Sequence, residues 1–134
     1  MEKVKDKVRV LVIDDLADAR LLLETLFEHA GAEVLCVASG NEALSAIEIA
    51  EKGQRQFHLI STDIRMPELN GIDTTAQIRT AGYKGAIVAF TATVNLLDKD
   101  KGKKNGINKY FSKTQINRDV IGAIVEQVKI GELL

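Results

Sequence analysis

Cysteine occurs once, as Cys36 inside the apolar run VLCVA, so neither an internal disulfide nor a paired-cysteine metal or redox site can form within this chain. Proline also occurs once, as Pro67, where a loop is expected, and no imino acid interrupts any other segment. No apolar stretch approaches the length of a membrane span, and the opening MEKVKDK lacks the apolar segment of a secretory signal. An excess of one charge is missing too. The 18 basic and 19 acidic residues leave −1, which gives no global field to draw the chain to nucleic acid or to an acidic membrane. Together these absences place the chain in a reducing, cytoplasmic setting, with partners recognised by a local surface.

What remains is ample for one folded unit. At 134 residues and 46% hydrophobic content the chain can bury a core of ordinary size, and a separate output or DNA-binding domain is not expected within it. The expected organisation is a charged tail over residues 1–7 and a single domain over 8–134.

Within that domain apolar runs of strand length alternate with segments of helical period, the pattern of a parallel sheet covered on both faces. Strands are expected over residues 8–13, 33–37, 57–62, 86–90 and 107–112. Ala19, Leu22, Leu23, Leu26, Phe27 and Ala30 recur at one helical face, and Gly31 is placed to end that helix with positive φ. Ser39 and Glu42 form a capping-box pattern before a helix over 41–52, and a short helix begins near Ile72. Segment 94–105 is polar with Gly102 in its interior, so its helix should be marginal. Asn108 and Lys109 suit an edge strand. The last helix turns Val120, Ile121, Ile124, Val125 and Val128 inward, with Gly131 near its end. The fold class read from this pattern is α/β, a doubly wound parallel sheet of five strands with helices on both faces.

In such a sheet ligands bind outside the carboxyl ends of the strands, and the residues that carry chemistry cluster there. Asp14 and Asp15 follow strand one, Asp63 strand three, Thr91 strand four and Lys113 strand five. Three acids supply hard oxygen ligands of the kind that hold magnesium and would repel one another without a cation among them. A carboxylate can also take a phosphoryl group as an acyl phosphate, with positioning and charge neutralisation providing most of the catalysis. Asp63 is the expected nucleophile, with Lys113 as a point charge and the Thr91 hydroxyl as a hydrogen-bond donor to phosphoryl oxygens.

VLVIDD, STDIRMPELNGID, FTAT and KYFSK, in this order and over about residues 8–128, resemble the receiver domains of two-component response regulators. The resemblance implies a flavodoxin-like, doubly wound, five-stranded parallel sheet in the order 2-1-3-4-5, flanked by five helices. It implies that Asp63 is the phosphoacceptor and that Mg2+ is held by Asp14, Asp15, Asp63 and the backbone carbonyl of Arg65. It implies that Lys113 contacts the phosphoryl group and that Thr91 and Tyr110 move together as a switch reshaping the surface of helix four, strand five and helix five. The phosphodonor would be a phosphohistidine on a sensor histidine kinase or a histidine phosphotransfer protein, and the signal would leave through a downstream protein effector. Arg65 and Thr93 flank the site and are placed to tune water access. Catalysis would extend only to the chain's own phosphorylation and dephosphorylation. One departure is clear: the family usually follows its strand-five lysine with proline in a cis peptide, whereas Lys113 is followed by Thr114. Because a non-proline cis bond costs about 2.5–4 kcal/mol, either a trans bond with a shifted loop or a strained cis bond is expected.

Blander readings stand beside these. Asp14-Asp15 alone is compatible with a helix start favoured by the helix dipole, Asp63 with a turn, Thr91 with a strand end and Lys113 with a solvated edge. Tyr110 reads equally as a partly buried packing residue. His29 and His58 lack a second histidine at ligand spacing and read as surface or packing residues. The lysines of 98–104 suit a solvated face or an acidic partner. Two rival functions remain: a receiver-like interaction module indifferent to phosphorylation, and a haloacid-dehalogenase-like phosphatase. The second needs an acid two residues beyond its nucleophile, where this chain has Leu16. Monomer and weak homodimer are both open.

Overall fold

A computed structural model describes residues 3–66, 70–92 and 96–133, without the side chains of Leu96 and Leu97; Pro67 and Thr93 lie outside the described residues. The chain runs through β1 (Arg9–Ile13), α1 (Ala17–His29), β2 (Glu33–Val37), α2 (Gly40–Lys52), β3 (Leu59–Thr62), α3 (Gly71–Thr80), β4 (Ala86–Thr91), α4 (Leu96–Lys104), β5 (Lys109–Ser112) and α5 (Arg118–Lys129). A single 3-10 turn, Lys113–Gln115, separates β5 from α5. The sheet is parallel, as the alternation of strand and helix patterns predicts, and its order β2-β1-β3-β4-β5 is the one the resemblance implies.

Alternation along β1 divides the interior into two cores. Val10 and Val12 point to one face, where Leu59, Val88 and Phe90 meet Leu23 and Phe27 of α1 and Ile121, Ile124, Val125 and Val128 of α5. Leu11 and Ile13 point to the other, joining Ile60, Ile87 and Ala89 under Ala43 and Ile47 of α2 and Ile72 and Ile78 of α3. Every residue of β3 and β4 is buried, as inner parallel strands require.

Several expectations shift in detail. Leu22, assigned to the inward face of α1, is 46% exposed, because Leu23 and Phe27 carry the buried stripe. The capping box of α2 is offset: Ser39 accepts from the Glu42 N–H, but the glutamate carboxylate takes the N–H of Ala38, one residue earlier than expected. Residues 57–58 and 107–108 lie before their strands proper, yet their backbone stays paired through His58 N–H to Arg9 O and Asn108 N–H to Ile87 O. Asn108 does more than guard an edge. Its side-chain oxygen accepts from the Ile87 N–H at 2.8 Å and from the Arg79 guanidinium at 3.1 Å. That guanidinium also donates to the carbonyls of Tyr83, Gly85 and Gly106, so it bolts the end of α3 to the starts of β4 and β5.

All five helices end in the same way: the second residue after the helix cap donates back into the last turn, with its predecessor in a left-handed conformation at four of the five sites as a glycine. After α1 that glycine is Gly31, at φ 91°, with Ala32 N–H donating to Phe27 O. After α2 it is Gln54, at φ 57°. A left-handed L-residue costs roughly 1–2 kcal/mol that glycine avoids. Gln54→Gly is therefore expected to raise stability by about 1 kcal/mol, read by urea denaturation; an unchanged midpoint would refute that strain.

His58 is half-buried, and its Nδ1 accepts the Arg9 N–H at 2.9 Å, which requires the neutral ring. Burial first, then the Arg9 charge, hold its pKa below the ordinary 6.5. The unfolded chain thus binds the proton more readily, so this contribution is complete above about pH 6.5 and is lost as pH falls toward the folded-state value. Compared with His58→Asn, which keeps an acceptor but cannot titrate, the wild type should lose stability more steeply over the interval below about pH 6.5. Parallel denaturation curves for the two proteins across that interval would disprove it.

Candidate functional site

The neighbouring strands β1 and β3 run in register, Ile13 against Thr62, so the residues that follow them emerge side by side. Asp14 is pinned there by its N–H to Val37 O and by its side chain, which accepts the Leu16 N–H at 3.0 Å. The Arg20 guanidinium holds the Asp14 carbonyl at 2.8 Å. Asp63 is fixed by its N–H to Ile13 O and by the Thr62 hydroxyl, which donates to its carbonyl at 2.9 Å. Gly71, at the start of α3, backs directly onto the Asp63 carbonyl: a Cβ there would overlap that oxygen. Asn70 caps α3 by accepting the N–H groups of Ile72 and Asp73 at 3.0 Å each. Both positions went unread in the sequence, although the Asn-Gly pair before a helix was the available signal.

Asp14 and Asp63 are nearly inaccessible and Asp15 is half-buried, with one carboxylate oxygen from each lying within 4.8 Å of the others. Into this cluster β5 delivers Lys113, whose Nζ stands 3.1 Å from Asp14 Oδ2 and 3.2 Å from Asp63 Oδ2. Burial disfavours its ammonium, but the hydrogen bond to Asp14 and the charges of both carboxylates outweigh it, and the lysine pKa is raised. Asp63 is also raised, by burial and then by the Asp14 charge; Lys113 and the Arg65 N–H, 3.4 Å from Oδ1, only partly oppose them. Three hard oxygen donors so close together are a donor set that fits a divalent cation.

The Lys113–Thr114 peptide bond is trans. The turn that follows is closed by a capping box: Ser112 Oγ accepts the Thr114 N–H at 3.2 Å, and Gln115 Oε1 accepts the Ser112 N–H at 2.8 Å. Thr114 therefore supplies an N–H that proline lacks, and the lysine is placed by hydrogen bonds.

Thr91 ends β4, fully buried and in register with Ser112, one residue before Lys113. Tyr110 lies lower on β5, beside Ala89, with its ring over α4 and its hydroxyl donating to the Asp98 carbonyl at 2.9 Å. Burial, then the Asp98 charge, push its phenol up to about 12. Gly102, which weakens α4 intrinsically, has a reason to be there: any Cβ would overlap the Tyr110 hydroxyl. Asp98 meets the rim as well, its carboxylate 2.6 Å from the Arg65 guanidinium. A groove of about 1290 Å3 lies elsewhere, at the amino ends of the strands by Arg9, Phe57, His58 and Tyr83, and no rim residue lines it. Burial and then Glu24 push the Cys36 thiol up to about 12.

A parallel sheet of this order with its polar groups gathered on the carboxyl rim is the flavodoxin-like class of doubly wound folds. The family model described as response regulator receiver domain matches residues 10–126. Protein PilG of Pseudomonas aeruginosa is 32% identical over 130 residues, covering 96% of this chain and 93% of that protein. The sensor histidine kinase GacS of Pseudomonas protegens is 32% identical over 88% of this chain, which spans 13% of that protein's length. Among solved structures, the chemotaxis protein CheY4 of Vibrio cholerae is similar at a TM-score of 0.80 and 26% identity, over 91% of this chain and 98% of that one. The Francisella response regulator 1452 receiver domain is similar at 0.79 and 25%, over 92% and 97%. The chain belongs to the response regulator receiver domain family. Among the described residues no helix is long and apolar enough to cross a membrane.

If Lys113 neutralises the pair, Lys113→Met should destabilise the metal-free protein by about 1–3 kcal/mol, since buried carboxylates then stand uncompensated. Adding Asp63→Asn should recover much of the loss. Additive losses in the double variant, measured by urea denaturation, would mean that the lysine and aspartate do not interact.

Proposed function

We propose that this chain is a phosphoacceptor in a two-component or phosphorelay system, taking a phosphoryl group onto Asp63 from a phosphohistidine on a sensor histidine kinase or phosphotransfer protein. One observation carries the reading: a single ammonium, Lys113, is shared at 3.1 and 3.2 Å by two buried carboxylates on adjacent strands. A lone nucleophile needs no second acid beside it, and a structural ion pair needs no third.

In the transfer, an Asp63 carboxylate oxygen forms a bond to phosphorus as the P–N bond to the donor imidazole breaks, the electron pair leaving with the imidazole nitrogen. Lys113 is within reach of the oxygens that gather charge, and it moves no proton. The buried hydroxyl of Thr91, at the end of β4, is the candidate donor to another phosphoryl oxygen, and Tyr110 is the candidate reporter that carries the change to α4, β5 and α5. Mg2+, held by Asp14, Asp15, Asp63 and the Arg65 carbonyl, would neutralise the phosphoryl oxygens during transfer. Hydrolysis by water then returns the carboxylate and inorganic phosphate. The domain is read as spanning residues 8–134 after a charged tail, in the cytoplasm, signalling to a downstream protein as a monomer or weak homodimer.

Intact mass after incubation with acetyl phosphate and Mg2+ tests this directly. The wild type should gain one phosphoryl group; Asp63→Asn, or omission of the metal, should abolish the gain. Lys113→Met should slow it by about 10²–10³-fold, the usual loss when one donor to a developing anion is removed. No gain in the wild type would leave an interaction module indifferent to phosphorylation as the better account.

A further inference from the structure

Among the described side chains of α4, Asp98 makes the polar contacts that reach the rest of the molecule. From Asp98 to its end the helix carries no apolar side chain other than the glycine under Tyr110. Asp98 is engaged from two sides: its carboxylate by the Arg65 guanidinium at 2.6 Å, and its carbonyl by the Tyr110 hydroxyl at 2.9 Å. Arg65 belongs to the loop that leaves the nucleophile, and its own N–H points at Asp63 Oδ1 from 3.4 Å. An unbroken line of contacts thus runs from the Asp63 carboxylate through Arg65 and Asp98 to Tyr110.

The anions at the two ends of Arg65 are competitors. The Asp98 carboxylate is one; a phosphoryl group on Asp63, two residues before Arg65, adds another with about −1.5 to −2 charges and several acceptor oxygens. A guanidinium donates bidentately to either and cannot lose its charge, so a group that outbids Asp98 draws it away. Arg65 is 65% exposed and Asp98 18%, which makes the pair weak enough to be broken by a stronger anion nearby.

We propose that Asp98 is a positioning residue acting through Arg65, and that their ion pair is a latch that holds the first turn of α4 until the phosphoryl site is charged. The inference rests on the phosphoacceptor reading above. Release removes the Arg65 contact from Asp98, the residue whose carbonyl is the partner of the Tyr110 hydroxyl. Because coupling between two sites is reciprocal, a site whose occupancy opens the latch binds its anion more tightly once the latch is removed.

Beryllofluoride, an anion shaped like the phosphoryl group, serves as the probe in the presence of Mg2+, with binding followed by the backbone amide signals of Gly102 and Tyr110. Asp98→Asn should bind it about two- to fivefold more tightly than the wild type, the range open to a partly exposed pair. In the free Asp98→Asn protein the Gly102 signal should already lie part-way toward its bound position in the wild type. Asp100→Asn makes the same change of charge two residues on and should alter neither. In an Arg65→Gln background the Asp98 substitution should have no effect on affinity. Unchanged or weaker binding by Asp98→Asn overturns the latch, as does an effect that persists without Arg65. If the wild type binds no better than Asp63→Asn, the phosphoacceptor reading falls and takes the latch with it; if only the Asp98 comparison fails, that reading stands alone.

Discussion

The ammonium of Lys113 between Asp14 and Asp63 is the contact on which the rest of the arrangement depends. Two carboxylates with almost no exposure repel each other in a medium where charge is poorly screened, and each would favour protonation without a cation beside it. For one lysine to serve both, three strands must end at matched heights. The registers Ile13 with Thr62, Thr62 with Ala89, and Thr91 with Ser112 accomplish this across four strands. A one-residue slip of any of them would turn a rim side chain to the opposite face of the sheet. The buried aliphatic alternation of β1, β3 and β4 is therefore what holds the site in register.

Rigidity is distributed unevenly around that rim. α1 and α5 press side by side onto one core, and α2 and α3 onto the other, so the acids and the lysine stand on well-anchored supports. α4 differs in kind. Its described side chains are charged or absent, and a glycine in its middle admits the Tyr110 ring. Elements that move in response to a site belong to the less stable part of a fold, and the composition of α4 puts it there. The tyrosine partly repairs the loss, since the hydroxyl that needs a partner finds one in the α4 backbone itself.

The parallel sheet and the five rim residues were legible because they rest on local signals, apolar runs, helical spacing and polar residues at run ends, whereas the strand order came with the family resemblance. Contacts between distant residues were not legible. Gly102 looked like a defect in α4 because the ring that fills its missing side chain comes from β5. Asn108 looked like an edge guard because its bonds to Ile87 and Arg79 cross between elements. Arg79 drew no attention, since an arginine late in an amphipathic helix is ordinary until its carbonyl partners are known. Leu22 obeyed the helical period yet faces water, because period assigns a face without its width. The change from proline to threonine after Lys113 was visible, but its resolution was not: Ser112 and Gln115 close the turn by hydrogen bonds and so place the lysine without a fixed ring.

The balance of charge gives Arg65 its place in this scheme. Three carboxylates and one ammonium leave the rim with two negative charges, which one divalent cation neutralises. Conversion of the Asp63 carboxylate to an acyl phosphate adds up to one further negative charge, and a divalent ion and Lys113 no longer suffice. Arg20 is already committed to the Asp14 carbonyl, whereas Arg65 sits on the same loop as the nucleophile and, among the described residues, its guanidinium pairs with Asp98. The charge that phosphorylation creates and the cation that Asp98 of α4 restrains are thus complementary, and drawing the second to the first transmits the state of the rim to a helix whose described side chains are charged.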